Sequence, residues 1–305
     1  MNSGMAMKMA RPRKSTVNAF LLARLREYCT LTKPEVNLLI LITTSAGYIL
    51  GSHGPLHFVR LFHTLAGTLL IASGTATLNQ FMESRHDGQM YRTANRPLPT
   101  GRILPSEAFV LGILLSVTGS VYLWKAVNAA SALAAMFTLL SYLLVYTPLK
   151  RKTSLCTLLG AIPGAMPTLI GWLAASGRLD LKAEMLFSLL FLWQFPHFLS
   201  IALMYREDYE RAGYHMLPSF DVEGRFTRFE IVFFALAVTI VGIIFVANDT
   251  APSLSIIGLI ALGGFLLRSS LQLARSASRV AAARLLHATV IYLPAILAIL
   301  IWNKY

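Results

Sequence analysis

The sequence predicts an all-α polytopic membrane protein with nine transmembrane helices. The composition is 55% hydrophobic and 13% charged, whereas soluble domains are about 25% charged. Nine runs of at least 17 residues contain no Asp, Glu, Lys or Arg, and a helix of about 20 such residues crosses the hydrocarbon core of a bilayer. We therefore expect an N-terminal segment over residues 1–35 and one membrane domain over residues 36–303.

The first four predicted spans are bounded by charged residues. An arginine ends the first run, a glutamate ends the second, another glutamate precedes the third, and a Lys-Arg-Lys cluster follows the fourth. Because charged groups are costly inside the hydrocarbon core, each of these positions indicates where a helix leaves the membrane. The four spans cover residues 36–59, 61–82, 108–124 and 126–149.

The remaining five spans are assigned by the same rule. The fifth contains Gly160 and Gly164 together with Pro163 and Pro167, a pattern more typical of close helix packing or a kink than of a ligand-binding loop. The five spans cover residues 153–177, 185–205, 231–248, 250–267 and 285–303.

The basic residues are distributed unevenly between the two sides of the predicted membrane domain. Of the 27 Lys and Arg residues, 22 lie before the first span or in the even-numbered connections. The positive-inside rule then places the N-terminus and these connections in the cytoplasm and the C-terminus outside. Membrane topology thus accounts for the net charge of +13, and we expect no nucleic-acid partner.

Residues 1–35 are basic but do not resemble a secretory signal peptide. They lack a long apolar stretch with a small-residue cleavage site. Their Arg-rich, acid-poor composition up to Glu27 leaves a mitochondrial presequence open. We expect the bacterial inner membrane, with the mitochondrial inner membrane as the alternative. Cys29 and Cys156 lie near the predicted cytoplasmic ends of spans, where no oxidising environment favours a disulfide.

A polar cluster follows the second predicted span. Asn79, Glu83 and Asp87 are spaced by four residues, so they project from one face if the helix continues past the bilayer. Their oxygen atoms suit Mg²⁺ that is shared with a substrate's phosphates. Arg92 and Arg96 follow at the same spacing, and guanidinium groups bind phosphate oxygens in pairs. The cluster predicts a diphosphate site; the alternative is a solvated loop whose charges pair with one another.

A second acidic cluster follows the sixth predicted span in the equivalent topological place. It contains Glu207, Asp208 and Glu210, which indicates a second metal or diphosphate half-site facing the same cavity. Between the two clusters, Lys150 begins a basic stretch at the cytoplasmic interface. That stretch is either a topology anchor or part of the phosphate site.

The sixth span contains polar residues where a charge-free helix needs none. His197 follows Trp193, Gln194 and Pro196, and the proline breaks the local backbone hydrogen-bond ladder. A histidine in this position is either a core residue bonded to a neighbouring helix or a contact for a large planar substrate. Aromatic side chains such as Tyr146 and Trp193 would stabilise an allylic cation by cation–π attraction.

Three segments in order resemble the UbiA-type intramembrane prenyltransferases, and within them the protohaem IX farnesyltransferase (haem O synthase) family. The segments are NQFMESRHD with MYRTANRPLP, YTPLKRKT with GAIPGAMPTLIGW, and WQFPHF with DYERAGYHMLP. The resemblance implies nine helices around a central cavity. It also implies a reaction in which farnesyl diphosphate, haem B and water give haem O and diphosphate.

The resemblance also assigns roles to individual residues. It implies that Mg²⁺ is the cofactor, that Lys150 joins the two arginines in binding diphosphate, and that haem A synthase or a terminal oxidase assembly uses the product. The catalytic acids and amide it implies are Asn79, Glu83, Asp87 and Asp208, with metal ligation extending to Glu207. Glu83 stands where many members have Asp, the second motif has Ala212 where a paired acid is usual, and Cys156 stands where Asn is expected.

Two other functions compete with this interpretation. A related prenyltransferase with another acceptor would share the diphosphate motifs, but WQFPHF and GYHMLP favour haem. A secondary transporter also has many apolar spans with polar residues inside them. Transporters place those residues near the bilayer midplane, whereas here the acids and arginines cluster in cytoplasmic loops.

Overall fold

The computed structural model describes residues 14–221, 223–247 and 253–305. These residues form helices joined by turns, with no strand among them, and nine helical stretches are long and apolar enough to cross a membrane. The prediction of nine spans is therefore confirmed. The spans are α2 (Pro34–Gly51), α3 (Phe58–Asp87), α4 (Pro105–Ala126), a fourth span over Ala129–Leu149, α7 (Cys156–Ser176), α8 (Leu181–Met204), α11 (Arg225–Ala247), α12 (Ser253–Ser276) and α13 (Arg279–Lys304).

Four shorter elements complete the described helices. An N-terminal helix, α1 (Lys14–Thr32), precedes the first span, and residues 1–13 of the predicted N-terminal segment lie outside the described part of the chain. The fourth span consists of α5 (Ala129–Leu140), a π-helical turn over Ser141–Tyr146 and α6 (Thr147–Leu149). The connection after α8 contains α9 (Arg206–Arg211) and α10 (Leu217–Phe220).

The helix ends differ from the predicted span limits where charge alone was the guide. The first span ends at Gly51, eight residues before the predicted limit, because a turn with Gly54 at φ +92° and Pro55 follows. The eighth predicted span began at residue 250, which lies outside the described residues, and α12 continues beyond Arg268 to Ser276. A helix tolerates an arginine near the membrane interface because the side chain can reach the headgroups.

Glycines let several helices pack backbone to backbone. A Cβ atom on Gly47 of α2 would lie 2.1 Å from the carbonyl oxygen of Thr168 in α7, and one on Gly171 would lie 2.0 Å from that of Thr44. Close approach through small residues is how helices associate in a membrane, where hydrophobic burial between helices contributes little. A glycine also lets α7 and α8 approach closely, since a Cβ on Gly164 would lie 1.9 Å from Gln194 Oε1. The packing role predicted for this glycine is confirmed.

The last described helix closes the bundle against the first span. The core formed by α7, α8, α11, α12 and α13 includes fully buried Leu189, Leu285 and Ile296. At the opposite end from the polar loops, Lys304 Nζ donates hydrogen bonds to the carbonyl oxygens of Ile49 and Ser52 at the end of α2. A lysine suits this position because the terminal carbonyls of a helix lack intrahelical partners. We call this contact the C-terminal clasp.

The polar loops fold together over one end of the bundle. Met90, Cys156, Tyr214 and Met216 pack as one buried cluster, so three separate connections share a small apolar core. The backbone N–H of His215 donates to the carbonyl oxygen of Lys150 at 2.7 Å. Cys156 is fully buried in this cluster, and both cysteines are free thiols, as expected. The cluster fixes the loops that carry the candidate site.

Candidate active site

The polar face of α3 lies inside the protein at the loop-covered end. The helix is continuous through Asp87, so the helical spacing assumed for the first motif is confirmed. Asn79, Glu83 and Asp87 are only 1%, 7% and 1% exposed. Buried charges are costly unless they are paired, so the groups around this face determine what the site can bind.

Each carboxylate on this face has a cationic partner. Lys150 Nζ lies 3.0 Å from Glu83 Oε1, with 12% and 10% of the two side chains exposed. Arg96 Nη1 lies 2.7 Å from Asp87 Oδ2. The sequence placed these four residues in one phosphate and metal site, and the structure brings them together. These cations neutralise the buried carboxylates, which is an electrostatic role that a bound metal ion could also fill.

Lys33 is a member of the site that the sequence analysis missed. Its Nζ donates to Asn79 Oδ1 at 3.0 Å, while Asn79 Nδ2 donates to Thr147 Oγ1 at 3.2 Å. Burial, together with the positive charge of Arg96, lowers the pKa of Lys33 to about 7. A lysine directly before Pro34 at the start of the first span was the available signal, but it was counted only as a topology charge.

The backbone of Lys33 has an unusual conformation. Its φ of 52° and ψ of 66° lie in the left-handed region, which costs a non-glycine residue roughly 1 kcal/mol or more. The α-helical region is disfavoured for a residue that precedes proline, and Pro34 follows at the first position of α2. The turn directs the side chain from the α1–α2 junction onto α3.

Aromatic rings cover the ammonium group of Lys150. Its Nζ lies 4.5 Å from the ring centroid of Tyr146 and 5.9 Å from that of Tyr214. Tyr146 also packs against Tyr142, with centroids 5.0 Å apart, and both belong to the π-helical turn. Gly160 makes room for this arrangement, since a Cβ there would lie 2.5 Å from the Tyr146 ring. Single π-helical turns inside α-helices often occur at functional sites.

Asp208 connects the two polar loops. Its carboxylate accepts hydrogen bonds from the backbone N–H groups of Tyr91 at 3.3 Å and Arg92 at 3.2 Å, and from Arg211 at 3.0 Å. The side chain is buried at 7% exposure. Asp208 therefore holds the backbone that carries Arg92, a positioning contact that sequence spacing could not reveal.

The other acids of the second motif lie in more open positions. Glu207 is exposed, and Glu210 Oε1 forms an ion pair with Arg206 at 2.8 Å. Arg92 lies nearby over the rings of Tyr205 and Tyr209, at 4.9 and 5.6 Å from their centroids. With the described residues Arg92 forms no ion pair, so its guanidinium remains able to bind an anion.

His197 and Trp193 share a partner on α13. Trp193 Nε1 donates to the carbonyl oxygen of Thr289 at 2.9 Å, and the two rings stack with centroids 4.7 Å apart. His197 Nδ1 lies 2.9 Å from Thr289 Oγ1, and that hydroxyl donates its single hydrogen to Leu286 O at 2.7 Å. With the hydroxyl hydrogen of Thr289 assigned to Leu286 O, His197 Nδ1 is the donor in this contact, and in a neutral imidazole Nε2 then carries the lone pair.

The donor set on α3 fits Mg²⁺ shared with a substrate. Within the described residues, no three His, Cys, Asp or Glu side chains form a metal cluster by themselves. Asn79, Glu83 and Asp87 nevertheless supply hard oxygen atoms from one buried face, and Mg²⁺ commonly takes only one or two carboxylates and completes its shell with phosphates and water. Ligation by Glu207 and Asp208 stays a prediction; both Asp208 oxygens already accept hydrogen bonds.

Comparison with known proteins identifies relatives of this chain by sequence and by fold. The chain is 44% identical over 289 residues to a protoheme IX farnesyltransferase from Solibacter usitatus (strain Ellin6076), which covers 92% of this chain and 99% of the relative. A solved digeranylgeranylglyceryl phosphate synthase superposes with a TM-score of 0.76 at 16% identity, covering 92% of this chain and 98% of the other. A UbiA homologue from Archaeoglobus fulgidus bound to GPP and Mg²⁺ gives a TM-score of 0.63 at 14% identity, covering 90% and 99%. The sequence matches the UbiA prenyltransferase family over residues 40–296, so the chain belongs to that family.

Proposed function

We propose that this protein transfers the farnesyl group of farnesyl diphosphate to a vinyl group of haem B, giving haem O. The observation that carries the proposal is the 44% identity to a protoheme IX farnesyltransferase over nearly the whole of both chains. The buried acids and cations at one end of the bundle support the diphosphate half of the reaction. The hydrogen-bonded pair of His197 on α8 and Thr289 on α13 supports the acceptor half.

In the reaction, the bond between C1 of the farnesyl group and the diphosphate oxygen breaks, and diphosphate leaves. The terminal vinyl carbon of haem B then bonds to C1. Water adds to the adjacent carbon and releases one proton, which gives the hydroxyethylfarnesyl group. The protein needs no covalent intermediate for these steps. It has to neutralise the departing diphosphate, keep water from the farnesyl cation, and hold the vinyl group near C1.

The cations of the site neutralise the departing diphosphate. Lys33, Arg96 and Lys150 each contact an oxygen on α3, and all three can turn toward phosphate oxygens when a substrate enters. Asn79, Glu83 and Asp87 would hold Mg²⁺, which supplies positive charge to the leaving diphosphate. Support for the metal comes from their oxygen chemistry and from Mg²⁺ in the archaeal UbiA homologue.

The covering loops and the aromatic residues beside them keep water from the farnesyl cation. Tyr146 and Tyr142 lie beside Lys150, so aromatic faces adjoin the phosphate-binding cations. Such faces stabilise an allylic cation without reacting with it. Asp208 holds the backbone at Arg92, which keeps the loop over the site. Exclusion of water here prevents hydrolysis of the farnesyl cation.

His197 is proposed to hold the acceptor. Its Nδ1–H donates to Thr289 Oγ1, and histidines that bind a metal usually donate their other N–H in this way. The Nε2 lone pair can coordinate the haem iron, or it can accept a hydrogen bond from a donor group beside the porphyrin. Trp193 stacks on His197 and fixes the ring's orientation, so we propose a supporting role for Trp193 in acceptor binding.

The protein is a multi-pass membrane protein, and its orientation is part of the proposal. The loop-covered end carries most of the basic residues, which favours the cytoplasmic side of a bacterial inner membrane. Farnesyl diphosphate would then enter with its diphosphate group on the cytoplasmic side and its apolar farnesyl chain on the lipid side. Transfer of the product to haem A synthase or to a terminal oxidase assembly stays a prediction.

Purified protein in nanodiscs with farnesyl diphosphate and haem B tests the function. We expect release of diphosphate together with a haem product heavier by one farnesyl group and one hydroxyl group, detected by mass spectrometry. Replacement of haem B by a quinone precursor should give no product. Product with the quinone precursor alone would indicate a different acceptor, and haem uptake by sealed proteoliposomes without any covalent product would indicate a carrier.

A further inference from the structure

The outer face of α12 carries an arginine about two helical turns before the end of a membrane-spanning helix. Arg268 is exposed and lies eight residues before the end of the helix at Ser276. At 1.5 Å per residue, its Cα is about 12 Å along the helix from that end. An exposed charge at that position on a membrane-spanning helix faces lipid chains or headgroups, where charged groups normally have a partner.

Polar residues continue the same face toward the loop-covered end. Gln272 and Arg275 follow Arg268 at four and seven residues, and both are exposed. Positions four and seven residues apart lie one above the other on a helix. The three side chains therefore form a polar ladder from the apolar region to the headgroup level.

A groove accompanies this ladder. It has a volume of about 310 Å³ and is lined by Gly264, Leu267, Arg268, Leu271, Gln272 and Arg275. A Cβ atom on Gly264 would meet no other atom within 4 Å, so the groove is open to the membrane at its apolar end. The end of the groove at Gly264 and Leu267 is apolar, and the end toward Arg275 is basic. This arrangement matches a lipid whose acyl chain lies at the apolar end and whose phosphate lies at the basic end.

The positive charge around the groove has no compensation from the same hairpin. Arg279 and Arg284 lie on the first turns of α13 and are exposed. No Asp or Glu occurs between Ser253 and Tyr305. Among the described residues, neither Arg268 nor Arg275 forms an ion pair. An anion from outside the chain is therefore the matching partner.

The groove is separate from the candidate active site. It opens on the exposed face of α12, whereas Leu259, Leu266 and Leu273 on the other face pack into the core. The acids and cations of the reaction belong to α3 and the loops beside it. Occupancy of the groove is accordingly not a step of the proposed reaction.

We propose that this groove binds an anionic phospholipid. The guanidinium groups of Arg268 and Arg275 bind the phosphodiester, Gln272 donates to a headgroup oxygen, and an acyl chain lies over Gly264 and Leu267. Guanidinium forks are suited to phosphate oxygens, and basic sites beside membrane spans recognise anionic headgroups. A zwitterionic lipid of the same chain length would gain less because its headgroup carries its own cation.

Native mass spectrometry of the whole protein tests the proposal. Protein from nanodiscs containing equal amounts of phosphatidylglycerol and phosphatidylcholine should retain phosphatidylglycerol selectively. Arg268→Gln with Arg275→Gln should lower the retained ratio of phosphatidylglycerol to phosphatidylcholine about tenfold. Arg178→Gln, which removes one exposed charge from the connection between α7 and α8, is the control and should leave the ratio unchanged.

Two outcomes would overturn the inference. Equal retention of the two lipids by the unchanged protein would show that the groove does not select an anionic headgroup. The same selectivity in the double variant would show that the bound lipid lies elsewhere. Should the double variant fail to fold, the single variant Arg268→Gln is measured in its place, with an expected decrease of severalfold. Farnesyl transfer in detergent should be unchanged in every folded variant.

Discussion

Replacement of Thr289 by Val is predicted to weaken haem binding without touching haem. Valine keeps the shape of threonine but removes the oxygen that accepts the Nδ1–H of His197. The imidazole then either buries an unpaired N–H or moves its proton to Nε2. The second outcome removes the lone pair that we assign to the acceptor site. Trp193 keeps its own hydrogen bond, because that bond goes to the backbone oxygen of Thr289.

The expected size of the effect follows from these contacts. A buried donor without a partner costs about 1–3 kcal/mol, and loss of the partner that orients a metal-binding histidine weakens binding about 10- to 100-fold. His197→Ala should weaken haem binding at least as strongly. The free energy of unfolding of Thr289→Val should also fall by about 1–3 kcal/mol, because His197 loses its partner and Thr289 loses a hydrogen bond within its own helix.

Soret absorbance during titration with haem B measures this effect, and farnesyl diphosphate binding serves as the internal reference. Thr64→Val is the matched control: Thr64 is fully buried on α3, and its hydroxyl bonds within that helix to Arg60 O. We expect haem affinity to fall in Thr289→Val and to be unchanged in Thr64→Val. A Thr289→Val protein that binds haem within twofold of the unchanged protein, with the same Soret maximum, would refute the assignment of His197.

Three further predictions concern charge and orientation. Glu83→Gln should lower farnesyl transfer at least 100-fold and destabilise the fold by about 3 kcal/mol, because Lys150 loses its buried partner; Glu83→Gln with Lys150→Met should regain thermal stability without activity. Asp208→Asn should raise the KM for farnesyl diphosphate and speed amide hydrogen exchange in residues 88–104, since it loosens the loop that carries Arg92. Single cysteines at positions 89 and 207, in a Cys29→Ser background, should label only from the cytoplasm, and those at positions 53 and 179 only from outside.

Each grouped prediction has a result that would contradict it. Near-normal turnover of Glu83→Gln at limiting Mg²⁺ would remove that residue from the metal site. Unchanged exchange in Asp208→Asn would mean that its hydrogen bonds do not hold the loop. Labelling of positions 89 and 207 from outside would reverse the orientation and move diphosphate entry to the other face.

Local patterns in the sequence predicted the parts of the structure that depend on one helix. The charge-free runs located all nine spans, and four-residue spacing placed Asn79, Glu83 and Asp87 on one face. Helix limits were less accurate, because Arg268 was used as a boundary and α12 continues past it. A charged residue is a poor marker of the helix end when its side chain is long, because the charged group can reach the headgroups while the Cα atom lies within the membrane.

Contacts between distant segments were outside the reach of such patterns. Lys33 meets Asn79 across 46 positions, and Asp208 meets the backbone of Arg92 across 116. Neither pair has a shared period, and the roles of Lys33 and Thr289 emerge only when helices are packed. Asp208 was expected to bind metal, and that role stays a prediction; its observed contacts hold a loop.

The C-terminal clasp has a consequence for how the protein assembles during synthesis. The carbonyl groups at the end of α2 emerge from the ribosome about 250 residues before their partner, Lys304. Until α13 is inserted, water or lipid headgroups must solvate them, and α2 is held by α3 and α7 without the clasp. The contact between α13 and the end of α2 therefore forms late in insertion. A fusion partner joined directly after Tyr305 would disturb the formation of this contact before it affected the folded enzyme.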